Sequence, residues 1–166
     1  LALVEGEPTT LSLRKMLDVF LDFRVETIRR RTGFLLKKAE ERDHIVKGLL
    51  LALGAMDEII NLIRSAKDVI TAREKLQTDH ELSSTQAEAI LQMQLRRLTA
   101  LEADKIKAEH EELTQKIEQY QQILNSKERI FEIILDELNK IDERFSSPRK
   151  TEILDLGGGL DDIDLI

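Results

Sequence analysis

Two stretches of this chain repeat apolar residues at alternating steps of four and three, and that repeat admits few folds. The first reads Leu21, Val25, Ile28, Thr32, Leu35, Ala39, Arg42, Val46, Leu49 and Leu53, with Thr32 and Arg42 as polar interruptions. The second reads Ile106, His110, Leu113, Ile117, Tyr120 and Leu124, breaks at Asn125, and resumes as Phe131, Ile134, Leu138, Ile141 and Phe145. Such a stripe is the seam of a coiled coil. Two seams of similar length, joined by short helical segments, predict an antiparallel pair. The expected fold class is therefore all-α: a long antiparallel coiled coil with a small helical globular tip. Composition agrees. Charged residues make up 34 % of the chain, aromatics 4 %, and there are two prolines. That profile belongs to long helices rather than to a compact mixed domain.

Breakers and caps divide the chain. Residues 1–10 form an irregular entry, broken by Gly6 and Pro8, with Thr10 or Ser12 able to cap the first helix. Residues 11–53 form the ascending helix, in which Gly33 is the expected site of a bend. Residues 54–98 form the tip, with caps at Ser65/Asp68 and at Ser83/Gln86. One short helix should reach about Leu76, with a polar loop over Gln77 to Glu81; the next should run from Ser84 to about Gln94. Residues 99–147 form the returning helix, opened by a Thr99/Glu102 cap. Pro148 stops it, and residues 148–166 read as an acidic linker with Gly157, Gly158 and Gly159.

Several kinds of chemistry find no support. Cysteine is absent, which leaves no thiol nucleophile, disulfide framework or thiolate metal site, and is compatible with a reducing cytoplasm. His44, His80 and His110 lack a second ligand at a recognised metal spacing. His110 reads as a wet position in the seam. The glycine triplet has no following Lys-Ser/Thr, so it is no phosphate loop. Tyr120 lies between two glutamines in the seam and reads as a packing residue. No run of about 18 apolar residues exists to span a membrane. The formal net charge is −7, against the basic balance expected of a stand-alone nucleic-acid binder. The chain opens on Leu1 and reads as a piece of something larger.

Two surfaces could carry function. Met56, Ile59, Ile60 and Ile63 form an apolar stripe at helical spacing, and Leu91, Met93 and Leu95 crowd the next short helix and connector. The bland account is that they cap the hairpin from within. The sharper one is an exposed apolar face that meets a second copy of the chain. Arg24, Arg29, Arg30, Arg31, Lys37 and Lys38 form the one basic cluster. It reads either as a solvated face with partners such as Glu26 to Arg30, or as a local wall facing DNA phosphates.

The tip carries a resemblance. Gln86, Ala89-Ile90-Leu91, Met93, Leu95, Leu98-Thr99, Leu101-Glu102 and Lys105 resemble the A-I-L-x-M-x-L-x-x-L-T-x-L-E-x-x-K signature of the A subunits of bacterial type IIA topoisomerases, those of DNA gyrase and topoisomerase IV. Arg30 to Thr32, Ala39, Arg42, His44-Ile45 and Gly48-Leu49 fit further motifs of that family in order. Met56-Asp57 stands where the family has Ile-Asp, and Arg149-Lys150-Thr151-Glu152-Ile153 where it has R-R-T-E-I. The resemblance implies the coiled-coil arm and exit gate (C-gate) of such an enzyme. It implies a homodimer through the tip, and assembly with the gyrase B subunit and DNA into a holoenzyme that uses Mg and ATP. It implies no cofactor in this part, and a cytoplasmic, nucleoid-associated setting. The family's nucleophilic tyrosine lies beside an arginine on another domain, which Tyr120 does not match. The competing expectation is a structural adaptor, a helical hairpin that binds partner proteins along its length and needs no apolar tip.

Overall fold

The structure, a computed structural model, describes residues 1–93 and 100–151. They form a two-stranded hairpin followed by six helices. The first ten residues are more ordered than their Gly and Pro suggest. Strands β1 (Ala2–Val4) and β2 (Glu7–Thr9) pair antiparallel, with Val4 opposite Glu7. Glu5 and Gly6 both take positive φ, 52° and 88°, the two-residue turn whose twist suits a hairpin.

Helix α1 (Leu13–Gly54) runs 42 residues, roughly 63 Å at 1.5 Å per residue. Of the two expected caps, Ser12 serves: its hydroxyl accepts from the Lys15 N–H at 3.3 Å. Gly33, expected as a place for a bend or a break, does not break the helix. A lone glycine weakens a helix by about 1 kcal/mol but leaves every backbone bond in place. Ile28 and Thr32 just before it are buried and hold the helix to its partner.

Helix α2 (Met56–Ser65) follows after Ala55, α3 (Val69–Asp79) after a short gap begun by Ala66, and α4 (Ser84–Leu91) after Leu82 and Ser83. Asp68 alone caps α3, accepting from Thr71 N–H at 2.7 Å; Ser65 belongs to the end of α2. Helix α3 runs beyond Leu76 into the stretch expected to be loop, because Leu76 is fully buried and anchors its last turn. The Ser83/Gln86 capping box forms as expected, but α4 ends at Leu91 rather than Gln94. The Thr99/Glu102 cap falls partly outside the described residues.

The chain returns through α5 (Ala100–Asn125) and α6 (Lys127–Phe145), antiparallel to α1. Arg42 meets Glu109, and Arg24 meets Glu137 further down. Two apolar clusters hold the assembly. The larger joins the end of α1 (Val46, Leu49, Ala52) to Ile59, Leu76, Leu82, Ala87, Ile90 and Ile106. The smaller sits low on the arm around Ile28, Ile130 and Ile134.

The seam departs from its expected register in two places. On α1 it passes through Asp43, 5 % exposed, and not Arg42, which points outward to Glu109. On α6 it passes through Ile130 and Ile134, while Phe131, Leu138, Ile141 and Phe145 are 40–70 % exposed. Ser126 caps α6 by accepting from Arg129 N–H at 3.2 Å; Ile130 takes the buried place expected of Phe131, and the expected Ile134 is buried. This register is testable in adjacent positions. Ile130→Ala should destabilise the protein by about 2–5 kcal/mol in chemical denaturation, whereas Phe131→Ala should cost below about 1 kcal/mol.

Candidate dimerisation surface at the arm tip

The tip forms because four helices cannot all bury their apolar sides in one another. Helix α2 has the strongest one-sided pattern of the short helices, with acidic Asp57 and Glu58 in its first turn and Arg64 in its last, each suited to the helix dipole. Ile59 faces inward and is 4 % exposed. Met56 and Ile60 are half-buried and Ile63 is exposed. From the other side α4 presents buried Ile90, half-buried Leu91 and, just past its end, half-buried Met93. Between these walls lies an apolar cleft of about 380 Å³, floored by Ala52 of α1 and rimmed by Arg64.

Six of the seven tip residues singled out in the sequence line this one cleft: Met56, Ile59, Ile60, Ile63, Leu91 and Met93. The seventh, Leu95, lies outside the described residues. Ile59 differs from the others, since its burial places it in the tip's own core as much as on the cleft. Sequence spacing could not separate those roles, because inward and cleft-facing positions share one stripe.

The members of the basic cluster differ in their partners. Arg24 and Arg31 both bind Glu137 of α6, the latter at 3.2 Å. Lys37 stands 3.9 Å from Glu41. Arg29, Arg30 and Lys38 are exposed and have no ion pair among the described residues, and the expected Glu26–Arg30 pair does not form.

Below the tip the arm carries a polar joint missed by the apolar count. Arg42 grips Glu109 with two hydrogen bonds, Nε to Oε1 at 2.6 Å and Nη2 to Oε2 at 3.0 Å. Next to it Asp43 takes a bond from His110 Nδ1 at 2.7 Å and one from Lys47 Nζ at 2.9 Å. His110 is therefore a partner across the seam as well as a partly exposed position in it. Burial alone would push Asp43 up, but the bonds from Lys47 and His110 outweigh it and hold the carboxyl below its ordinary 3.8. Tyr120 is half-buried in α5.

The sequence model of the family described as DNA gyrase/topoisomerase IV, A subunit, matches residues 1–139. The chain belongs to that family. It is similar to the DNA gyrase A subunit of Synechocystis sp., 54 % identical over 166 residues, which is all of this chain and 19 % of that protein. It is similar to the DNA gyrase A subunit of Halalkalibacterium halodurans, 47 % identical over 166 residues, all of this chain and 20 % of that protein. The chloroplastic/mitochondrial DNA gyrase A subunit of Nicotiana benthamiana is 41 % identical over 165 residues, 99 % of this chain and 18 % of that protein. The chain thus spans about a fifth of the length of these relatives.

The residues that carry the likeness to the family gather at joints of the fold. Gly48 and Gln86 meet where α4 crosses α1, and Ala39 and Leu49 lie buried in the seam. No helix among the described residues is long and apolar enough to cross a membrane.

The joint gives a pH prediction. A carboxyl held below its ordinary pKa contributes stability above that value and loses it as pH falls through the folded-state pKa. Wild type should therefore be more stable than Asp43→Asn at neutral pH, and the gap should narrow as pH drops below about 4, read by denaturant unfolding at stepped pH.

Proposed function

We propose that this chain is the arm and exit-gate tip of a type IIA DNA topoisomerase, with gyrase as the specific parent. The observation that carries the reading is the cleft: the residues that mark the family at the tip line one open apolar recess at the far end of a rigid two-helix lever. A self-complementary apolar end on a stiff arm is what a two-fold gate requires. It must hold two copies together while DNA is broken elsewhere, yet part to release a transported duplex. In this reading the tip forms a homodimer, and the strand-cleaving tyrosine, the ATP and the Mg belong to other parts of an assembly with the gyrase B subunit. The three relatives from Synechocystis, Halalkalibacterium and Nicotiana are all gyrase subunits, which favours supercoiling over decatenation as the parent's task.

Three basic residues would serve that passage. Arg29, Arg30 and Lys38 keep free charge on the arm, where a departing duplex could be guided by phosphate attraction alone. Arg24 and Arg31 share the single carboxylate of Glu137.

Both parts are testable in the intact protein. Met93→Glu or Ile60→Glu should raise the dimer dissociation constant in sedimentation, since an ionised carboxylate cannot be buried unpaired. An unaltered protein that stays monomeric at high micromolar concentration would remove the main support for a gate. For the arm, replacing Arg29, Arg30 or Lys38 by Ala should each lower the slope of log affinity against log salt for duplex DNA by up to about 0.9. Arg24→Ala, which removes a guanidinium already bonded to Glu137, should lower it less.

A further inference from the structure

The two walls of the cleft are placed by different means. The α2 wall follows directly from the end of α1 through Ala55. The α4 wall, at Ile90, Leu91 and Met93, reaches the same helix only after α3, and one buried amide bonds it to the α1 backbone. Gln86, 7 % exposed, donates from Nε2 to the backbone carbonyl of His44 in α1, at 2.7 Å. Its Oε1 accepts from Ser83 N–H at 2.9 Å, and its own N–H donates to Ser83 Oγ at 3.2 Å. The His44 ring adds a second tie, Nε2 to Ser83 Oγ at 2.7 Å.

This crossing depends on a missing side chain. Of the three glycines in α1, only Gly48 has anything close: a Cβ built there would stand 2.7 Å from both Cβ and Cγ of Gln86. Gly48 is one helical turn after His44, so the seat and the carbonyl lie on the same face of α1. Apolar packing also holds α4, through Ala87 and Ile90. That packing is non-directional, and α4 could slide along α1 with its burial kept. The amide–carbonyl bond has a direction and a length, and it selects one position.

We propose that Gln86, seated on Gly48, is a positioning residue that fixes the spacing of the two cleft walls and so sets how firmly a second copy is gripped. The grip rests on the gate reading; the positioning does not.

The test uses Gln86→Glu in the intact protein. Glutamate keeps the volume and can still accept from Ser83 N–H, the capping-box role, but as a carboxylate it cannot donate to the His44 carbonyl. A nitroxide pair on Asn61→Cys and Gln92→Cys, in one labelled copy diluted among unlabelled ones, reports wall spacing. Exchange of copies between labelled and unlabelled dimers reports the grip. The expected result is a shifted or broadened distance together with copy exchange faster by about tenfold, the size of effect of one lost buried hydrogen bond. Gly48→Ala should do the same by steric exclusion, since its Cβ would stand 2.7 Å from Gln86 Cβ. An unchanged distance in Gln86→Glu overturns the proposal. So does a changed distance with unchanged exchange, provided Met93→Glu speeds exchange. If Met93→Glu has no effect, it is the gate reading that fails, and the distance alone decides the positioning role.

Discussion

Everything in this molecule is referenced to the buried stripe of one unbroken helix. Helix α1 supplies Ile28, Thr32, Ala39, Asp43, Val46, Leu49 and Ala52 to the interior, and α5, α6 and α4 are all placed by packing on it. A helix of that length cannot stay straight on propensity; tertiary burial of one face has to hold it. The stripe is uneven. Its large side chains lie at the two ends, near Ile28 and near Val46 to Leu49, while Thr32, Ala39 and Asp43 occupy the middle. Stiffness then comes from anchoring both ends to the returning half of the hairpin.

The polar groups between these anchors supply register. Apolar side chains accept a neighbour from many directions, and an antiparallel pair could slip by a heptad at modest loss. Arg42 with Glu109, Asp43 with His110, and Glu137 with Arg24 and Arg31 admit one alignment. Exposed pairs of this sort add little stability on their own. Asp43 is different because it is buried, and a slip would strand its charge. The joint sits directly below the tip, so it also fixes where the tip begins.

The all-α class, the antiparallel return, the Ser83/Gln86 box and the restart after Asn125 were all legible in sequence, because each depends on spacing or on a local cap. What was not legible depended on phase or on contacts made at long range. On α6 Ile130 is buried where Phe131 was expected, and one residue on a helix is a turn of about 100°. Arg42 and Asp43 are neighbours in sequence, and choosing between them required knowing that His110 waits across the seam. The tip residues were found as a set but not sorted, since Ile59 and Ile60 look alike until burial separates them. The basic cluster was found as a run, yet Glu137, more than a hundred residues on, pairs with two of its members.

The base of the arm is as greasy as its far end. Leu13, Leu17 and Phe20 on α1, with Ile141 and Phe145 on α6, stand 45–75 % exposed where the two helices part. A rod with adhesive caps at opposite poles is a monomer for chains, since unlike contacts between poles do not close on themselves as a two-fold pair does. Left bare in solution, such a rod would string into open filaments or clump. In the proposed gate, shelter for the lower pole is what would let the upper pole choose a single mate.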